Sequence, residues 1–200
     1  MAVIDLARLP AREARHAPLD TACRRRKPLE VLVYPDRGSI RSLTGKALDG
    51  HADPISRTLH VVVYDAAEGG PLESLVSHEA THVLAAARLG PAGSPLFGEG
   101  LAVWVSGEYG GKSLDQWRRE LAEPIPSADE LLGPRFRALP EATSYPLGGL
   151  LVEMLVKEVG REPVLRTLYG AGAFEWRQAC ERAGTSPQRV ELALRAALER

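Results

Sequence analysis

An α+β fold is predicted by three features of the chain. Its two β-branched runs come early, in "LEVLVYP" (residues 29–35) and "RTLHVVVYD" (residues 57–65). Every sustained helical pattern comes later, from Pro71 to the end. No internal repeat or low-complexity tract interrupts this order. Strands first and helices last indicate α+β rather than the alternating units of a parallel α/β sheet. The 200 residues suffice for one domain with a sizeable core.

Residues 1–28, rich in Arg, Ala and Pro without a sustained period, form an N-terminal arm. A single domain then spans 29–200, with a sheet and one central helix in 29–106 and a helical part in 107–200. The run at 29–35 is a strand ended by proline, and "SIRSLTG" is a helical turn or two ended by Gly45. "GKALDGHADP" precedes the run at 57–65 and pairs with it as a hairpin. Alternation then puts Leu59, Val61 and Val63 on one face and His60, Val62 and Tyr64 on the other. In "AAEGGPLESLVSHEATHVLAAARLGP", Pro71 suits the first position of a helix and Gly90-Pro91 its end. This helix is apolar round most of its circumference, so it is expected to be buried. "SPLFGEGLAVWVSG" starts a second helix, with Ser94 as cap and Pro95 behind it. Residues 110–140 alternate short helical pieces with prolines and glycines. From Ser144 the pattern is helical to the C-terminus.

Composition removes several function classes. Charged residues are 26% and hydrophobic ones 44%, with a net charge of -1. This balance gives no expectation of nucleic acid or an anionic membrane as partner. No apolar run approaches the roughly 18 residues of a membrane-spanning helix. The opening "MAVIDLARLPAREARHAP" lacks the apolar region of a secretory signal, so the expectation is a soluble chain with no compartment assigned. Cys23 and Cys180 have no C-x-x-C spacing and do not suggest a cysteine metal site. The "RRRK" after Cys23 would favour its thiolate; two free thiols are the plainest reading.

The chemistry concentrates in "SLVSHEATHVLAAARLG", residues 74–90. His78 and His82 lie four apart, one above the other on a single helix face. Both imidazoles can therefore reach one metal ion. Glu79 is turned away from that face, too far round to be a ligand, yet near enough to hydrogen-bond a water on the metal. Zinc lowers the pKa of such a water to about 7, and a carboxylate can take its proton during attack on a carbonyl. The competing reading is two buried histidines bonded to backbone.

A third ligand decides between them. The continuation H-E-x-x-H-x-x-G-x-x-H would require glycine at 85 and histidine at 88, where the chain has Ala85 and Arg88. After His82 the first helix runs on for about 12 Å. The chain can reverse at residues 90–94, and one turn into the second helix stands Glu99, with sixteen residues between it and His82. A carboxylate amid "PLF" and "LAVWV" needs a partner, and a metal would be that partner. Gly100 beside it would permit close approach to the first helix.

H-E-x-x-H followed by E-G-x-A resembles the gluzincin zinc metallopeptidases, closest to the compact bacterial peptidase MA-like families. The likeness is strong over 74–106 and looser over 29–185. It implies a small zincin-like domain, a twisted mixed sheet over the active helix, and one zinc per chain. By residue it implies ligands His78, His82 and Glu99, Glu79 as general base, and a peptide or protein substrate. It further implies that the strand before the active helix edges the cleft and pairs with substrate; His60 lies in that strand, where its plainer reading is an ordinary half-exposed strand residue. A tyrosine beyond the glutamate helix commonly donates to the oxyanion in such enzymes. Tyr145 is the residue best placed by order, fixed at a helix start by Ser144 and Pro146, with Tyr109 of "GEYGG" as a rival in a loop. The chain departs from the pattern at Val103, four residues after Glu99, where an acidic partner of the ligating histidines often stands. The alternative function is a zincin-fold module that keeps the metal and cleaves nothing. A metal-free helical interaction protein would leave both the motif and Glu99 as coincidences. His16 and His51 carry no usable spacing; Trp104, Trp117, Trp176 and Tyr169 read as core or rim.

Overall fold

The structure, a computed structural model, describes residues 28–45, 48–63, 71–121 and 125–198, without the Leu43 side chain. Residues 1–27 of the expected arm, including Cys23, and Tyr64 lie outside them.

Three strands form a mixed sheet: β1 (Glu30–Tyr34), β2 (Gly50–Asp53) and β3 (Thr58–Val62). β3 is central, parallel to β1 with Leu32 opposite His60, and antiparallel to β2 with His51 opposite His60. Helix α1 (Arg37–Thr44) starts on an Asp36 cap that accepts from Ser39 N, and ends at Gly45 in the left-handed region. Tyr34, Ile40 and Val62 form a small core beneath it. On the other face lie the fully buried Leu59 and Val61, as the alternation predicts.

That second face carries α2 (Leu72–Leu89), the helix of the motif. Pro71 takes its N-cap position rather than its first turn, because its ψ of 135° is not helical. Ser94 caps α3 (Pro95–Ser106) through Phe97 N, with Pro95 in the first turn. A hairpin of β4 (Glu108–Tyr109) and β5 (Lys112–Ser113) follows. Tyr109 therefore belongs to a paired strand, not to a loop.

Short helices α4 (Leu114–Glu120), α5 (Ala128–Leu132) and α6 (Arg135–Ala138) lead to the long α7 (Glu141–Val159). After it come α8 (Arg161–Pro163), a π-helical turn (Val164–Leu168), α9 (Trp176–Arg182) and α10 (Pro187–Ala196). Leu96, Phe97, Leu101, Leu147, Leu151 and Leu155 are all buried in one core, joined by Trp176 and Tyr169. Trp117 is also buried, and Trp104 packs at the core margin.

Helices α3 and α7 cross in backbone contact. A methyl at Gly100 would lie 2.6 Å from the Gly148 carbonyl oxygen, and one at Gly149 would lie 2.6 Å from Val103 Cγ1. Gly100 thus serves the α3–α7 crossing instead of the predicted approach to α2. Val103 is fully buried at that crossing, which leaves no room for a carboxylate. Among the described residues, no helix is long and apolar enough to cross a membrane.

Candidate metal centre

On α2 the apolar positions face the sheet and α3, and the i, i+4 spacing turns both imidazoles the same way. Chain reversal then lays α3 alongside, with Glu99 opposite them. The three ligand atoms make a nearly equilateral triangle: His82 Nε2 to Glu99 Oε2 is 3.2 Å, His78 Nε2 to Glu99 Oε2 is 3.5 Å, and the two Nε2 atoms are 3.3 Å apart. Tetrahedral ligands about 2.0–2.1 Å from a metal stand roughly 3.3–3.4 Å from each other, by the geometry of a tetrahedron. The triangle has the size of one tetrahedral face. Among the described residues, these three form a group of His and carboxylate side chains able to hold a metal ion. Their donor set, two imidazoles and a carboxylate, fits a borderline divalent ion.

Electrostatics follow from burial. The Glu99 side chain is only 14% exposed. Burial alone would raise its proton affinity, yet the hydrogen bonds and charge of His78 and His82 outweigh this and hold it well below the usual carboxylate range. For His82 the same balance runs the other way round: burial opposes its charged form, but Glu99 prevails and raises its proton affinity. Glu79 is buried beside the triangle, and desolvation raises its proton affinity, partly offset by His78 and His82.

The triangle lies in a cleft of about 1260 Å³. One wall is β2 with the start of α1. Arg37 Nη2 donates to Asp49 Oδ2 at 2.6 Å there, tying α1 to the entry of β2. Gly50 presses on α2 so closely that a methyl at 50 would lie 2.4 Å from Glu79 Oε1. The strand beside the cleft is therefore β2. β3 has both edges paired, so it cannot be the edge that the resemblance implied. His60 accordingly stays away from the metal group; its Nδ1 is 2.7 Å from Tyr34 Oη. It is His51 on β2, unmarked by any spacing, that lines the cleft.

The opposite wall comes from β4, α6 and α7. Tyr145 lines it with its ring nearly parallel to that of His78, 7° apart in plane and 6.2 Å between centroids. It stands in the second turn of α7, which begins at Glu141 after a Pro140 cap, and Pro146 lies inside the helix. The predicted position beside the metal group is observed; the predicted helix start at Ser144–Pro146 is not. Tyr109 stands 5.0 Å from Tyr145, centroid to centroid, and its hydroxyl donates to Glu141 Oε2 at 3.4 Å. Desolvation pushes the proton affinity of both phenols upward, so both keep their protons at neutral pH.

Sequence reasoning missed Gly50, Glu141 and Arg137. Arg137 Nη2 stands 3.9 Å from Glu99 Oε1, the oxygen turned away from the histidines. None of the three carries a local signal, since each acquires its place through the packing of a separate element.

Compared with known proteins, the sequence matches no family model and no curated relative.

Proposed function

We propose that this protein is a zinc-dependent peptidase of the gluzincin type, built on a compact zincin-like domain. The observation that carries the reading is the 3.2–3.5 Å triangle of His78, His82 and Glu99 at the floor of an open cleft, with the Glu79 carboxylate beside it. His78, His82 and Glu99 would hold one zinc ion. When bound, that ion supplies Lewis acidity, polarising a carbonyl and acidifying water.

The remaining steps belong to the chain. Glu79 accepts a proton from the attacking water and returns it to the leaving nitrogen; its burial, which raises proton affinity, suits a base that must hold the proton between the two events. The Tyr145 hydroxyl donates to the oxyanion that develops on the carbonyl. β2 is an edge strand among the described residues, and its outer side would offer backbone donors and acceptors to an extended peptide, as in strand addition.

The test is metal analysis joined to a peptide-library digest of wild type and Glu79→Gln. Both should carry about one zinc per chain, and only the wild type should cleave. Stoichiometric zinc that survives replacement of both histidines by alanine would sink the metal assignment. Zinc-loaded wild type that cleaves nothing would favour the non-cleaving module instead.

A further inference from the structure

The cleft has two arginines in its lining, Arg37 and Arg137. Arg37 is committed to both oxygens of Asp49. Arg137 is placed differently. Its neighbour Phe136 is fully buried and anchors the short helix α6, which fixes the backbone while the Arg137 side chain remains 63% exposed. Its guanidinium points toward Glu99 Oε1 but stands 3.9 Å away, beyond hydrogen-bond length. Glu141, four residues on, accepts from Tyr109. Arg137 thus brings a guanidinium nitrogen to the cleft lining, close to the metal group.

A cation here can steady the Glu99 oxygen turned away from the histidines. Its remaining donors suit an anion that enters the cleft. A guanidinium matches a carboxylate in two parallel hydrogen bonds. Elsewhere the lining carries the carboxylates of Asp36, Glu108 and Glu141, and a carboxylate placed beside any of these would be repelled, while Asp49 is matched by Arg37. We infer that Arg137 is the carboxylate-recognition residue of the cleft, binding either the free C-terminus of a peptide or an acidic side chain close to the scissile bond. The inference rests on the peptidase reading for the nature of its ligand.

Binding is measured in the zinc-loaded Glu79→Gln variant, which should not turn substrate over. Fluorescein-labelled short neutral peptides are compared as matched pairs by anisotropy: free against amidated C-terminus, and, in amidated peptides, one Glu against Gln walked along the sequence. A carboxylate-bearing member should bind roughly tenfold or more tightly than its neutral match. Arg137→Gln should abolish that preference and Arg137→Lys should keep part of it. The pair that shows the preference identifies the source of the carboxylate. Equal affinities in every pair, or a preference that survives Arg137→Gln, would overturn the inference. The peptidase reading fails separately, in the digest of wild type, because the anisotropy assay requires no cleavage.

Discussion

Gly50 and Glu79 are in backbone-to-carboxylate contact: a Cβ at position 50 would stand 2.4 Å from Glu79 Oε1 and 2.8 Å from Leu75 Cδ1. The edge strand thereby sets where the carboxylate can lie. Gly50→Ala should displace Glu79 by a fraction of an ångström to about one ångström. Such a displacement of a reacting group costs on the order of 10–10²-fold in turnover. Zinc content should be unchanged, because the atoms nearest a methyl at 50 belong to Glu79 and Leu75, not to His78, His82 or Glu99. Turnover equal to wild type in a zinc-loaded Gly50→Ala protein would show that Glu79 has room to adjust.

Tyr145 tests the opposite wall. Tyr145→Phe keeps the ring stacked on His78 and packed near Phe136 and Tyr109, and removes only the hydroxyl. If the hydroxyl donates to the oxyanion, turnover should fall roughly 10²–10³-fold, as for loss of one such donor. Zinc content and melting temperature should hold. Normal turnover would transfer attention to Tyr109→Phe.

The α3–α7 crossing should be intolerant of a single methyl. Gly100→Ala drives its Cβ to 2.6 Å from the Gly148 carbonyl oxygen, a backbone atom that cannot swing aside. Overpacking of this kind destabilises by about 1–3 kcal/mol, read as a lower urea midpoint. Zinc affinity should drop with it, since Glu99 is the adjacent residue. Gly98→Ala is the control: its Cβ would meet only the Ala92 Cβ at 3.3 Å, so its effect should stay under about 1 kcal/mol. Equal midpoints for the two variants would contradict the close crossing.

Cys180 is fully buried in the main core, and desolvation pushes its thiol up to about 11. A thiol so held is almost wholly protonated at pH 8 and reacts slowly. In a Cys23→Ser protein, a thiol-reactive dye should label Cys180 only on the timescale of unfolding, and promptly in urea. Rapid labelling of the native protein would mean that this part of the core opens readily.

Much of the centre was legible because its geometry is local. An i, i+4 pair on a helix converges whatever the rest of the chain does, so His78 and His82 needed no tertiary information. Glu99 needed a little more: the length of α2 beyond His82, a loop at 90–94 and the Ser94–Pro95 start together return α3 to the level of the histidines. Burial in an apolar helix marked its carboxylate as one requiring a partner.

Strand order was not legible. Both β2 and β3 read as members of a hairpin, and alternation placed Leu59 and Val61 of β3 on one face and His60 and Val62 on the other. Which of them borders the cleft depended on β1 returning to pair in parallel with β3, a long-range choice that leaves no periodic trace. The start of α7 was misread for a related reason. Pro146 ordinarily marks a helix beginning, because its ring removes a hydrogen bond inside one. Here the backbone-close packing of α7 on α3 outweighs that loss and carries the helix back to Glu141. The sequence by itself determined the α+β order, the paired imidazoles and the carboxylate that meets them, because these follow from helical periodicity and the cost of a buried charge. Only the tertiary structure decided that Gly50 presses on Glu79, that Tyr145 stacks on His78 and that Arg137 lines the cleft, because each of these contacts joins elements whose meeting is set by packing rather than by local backbone preference.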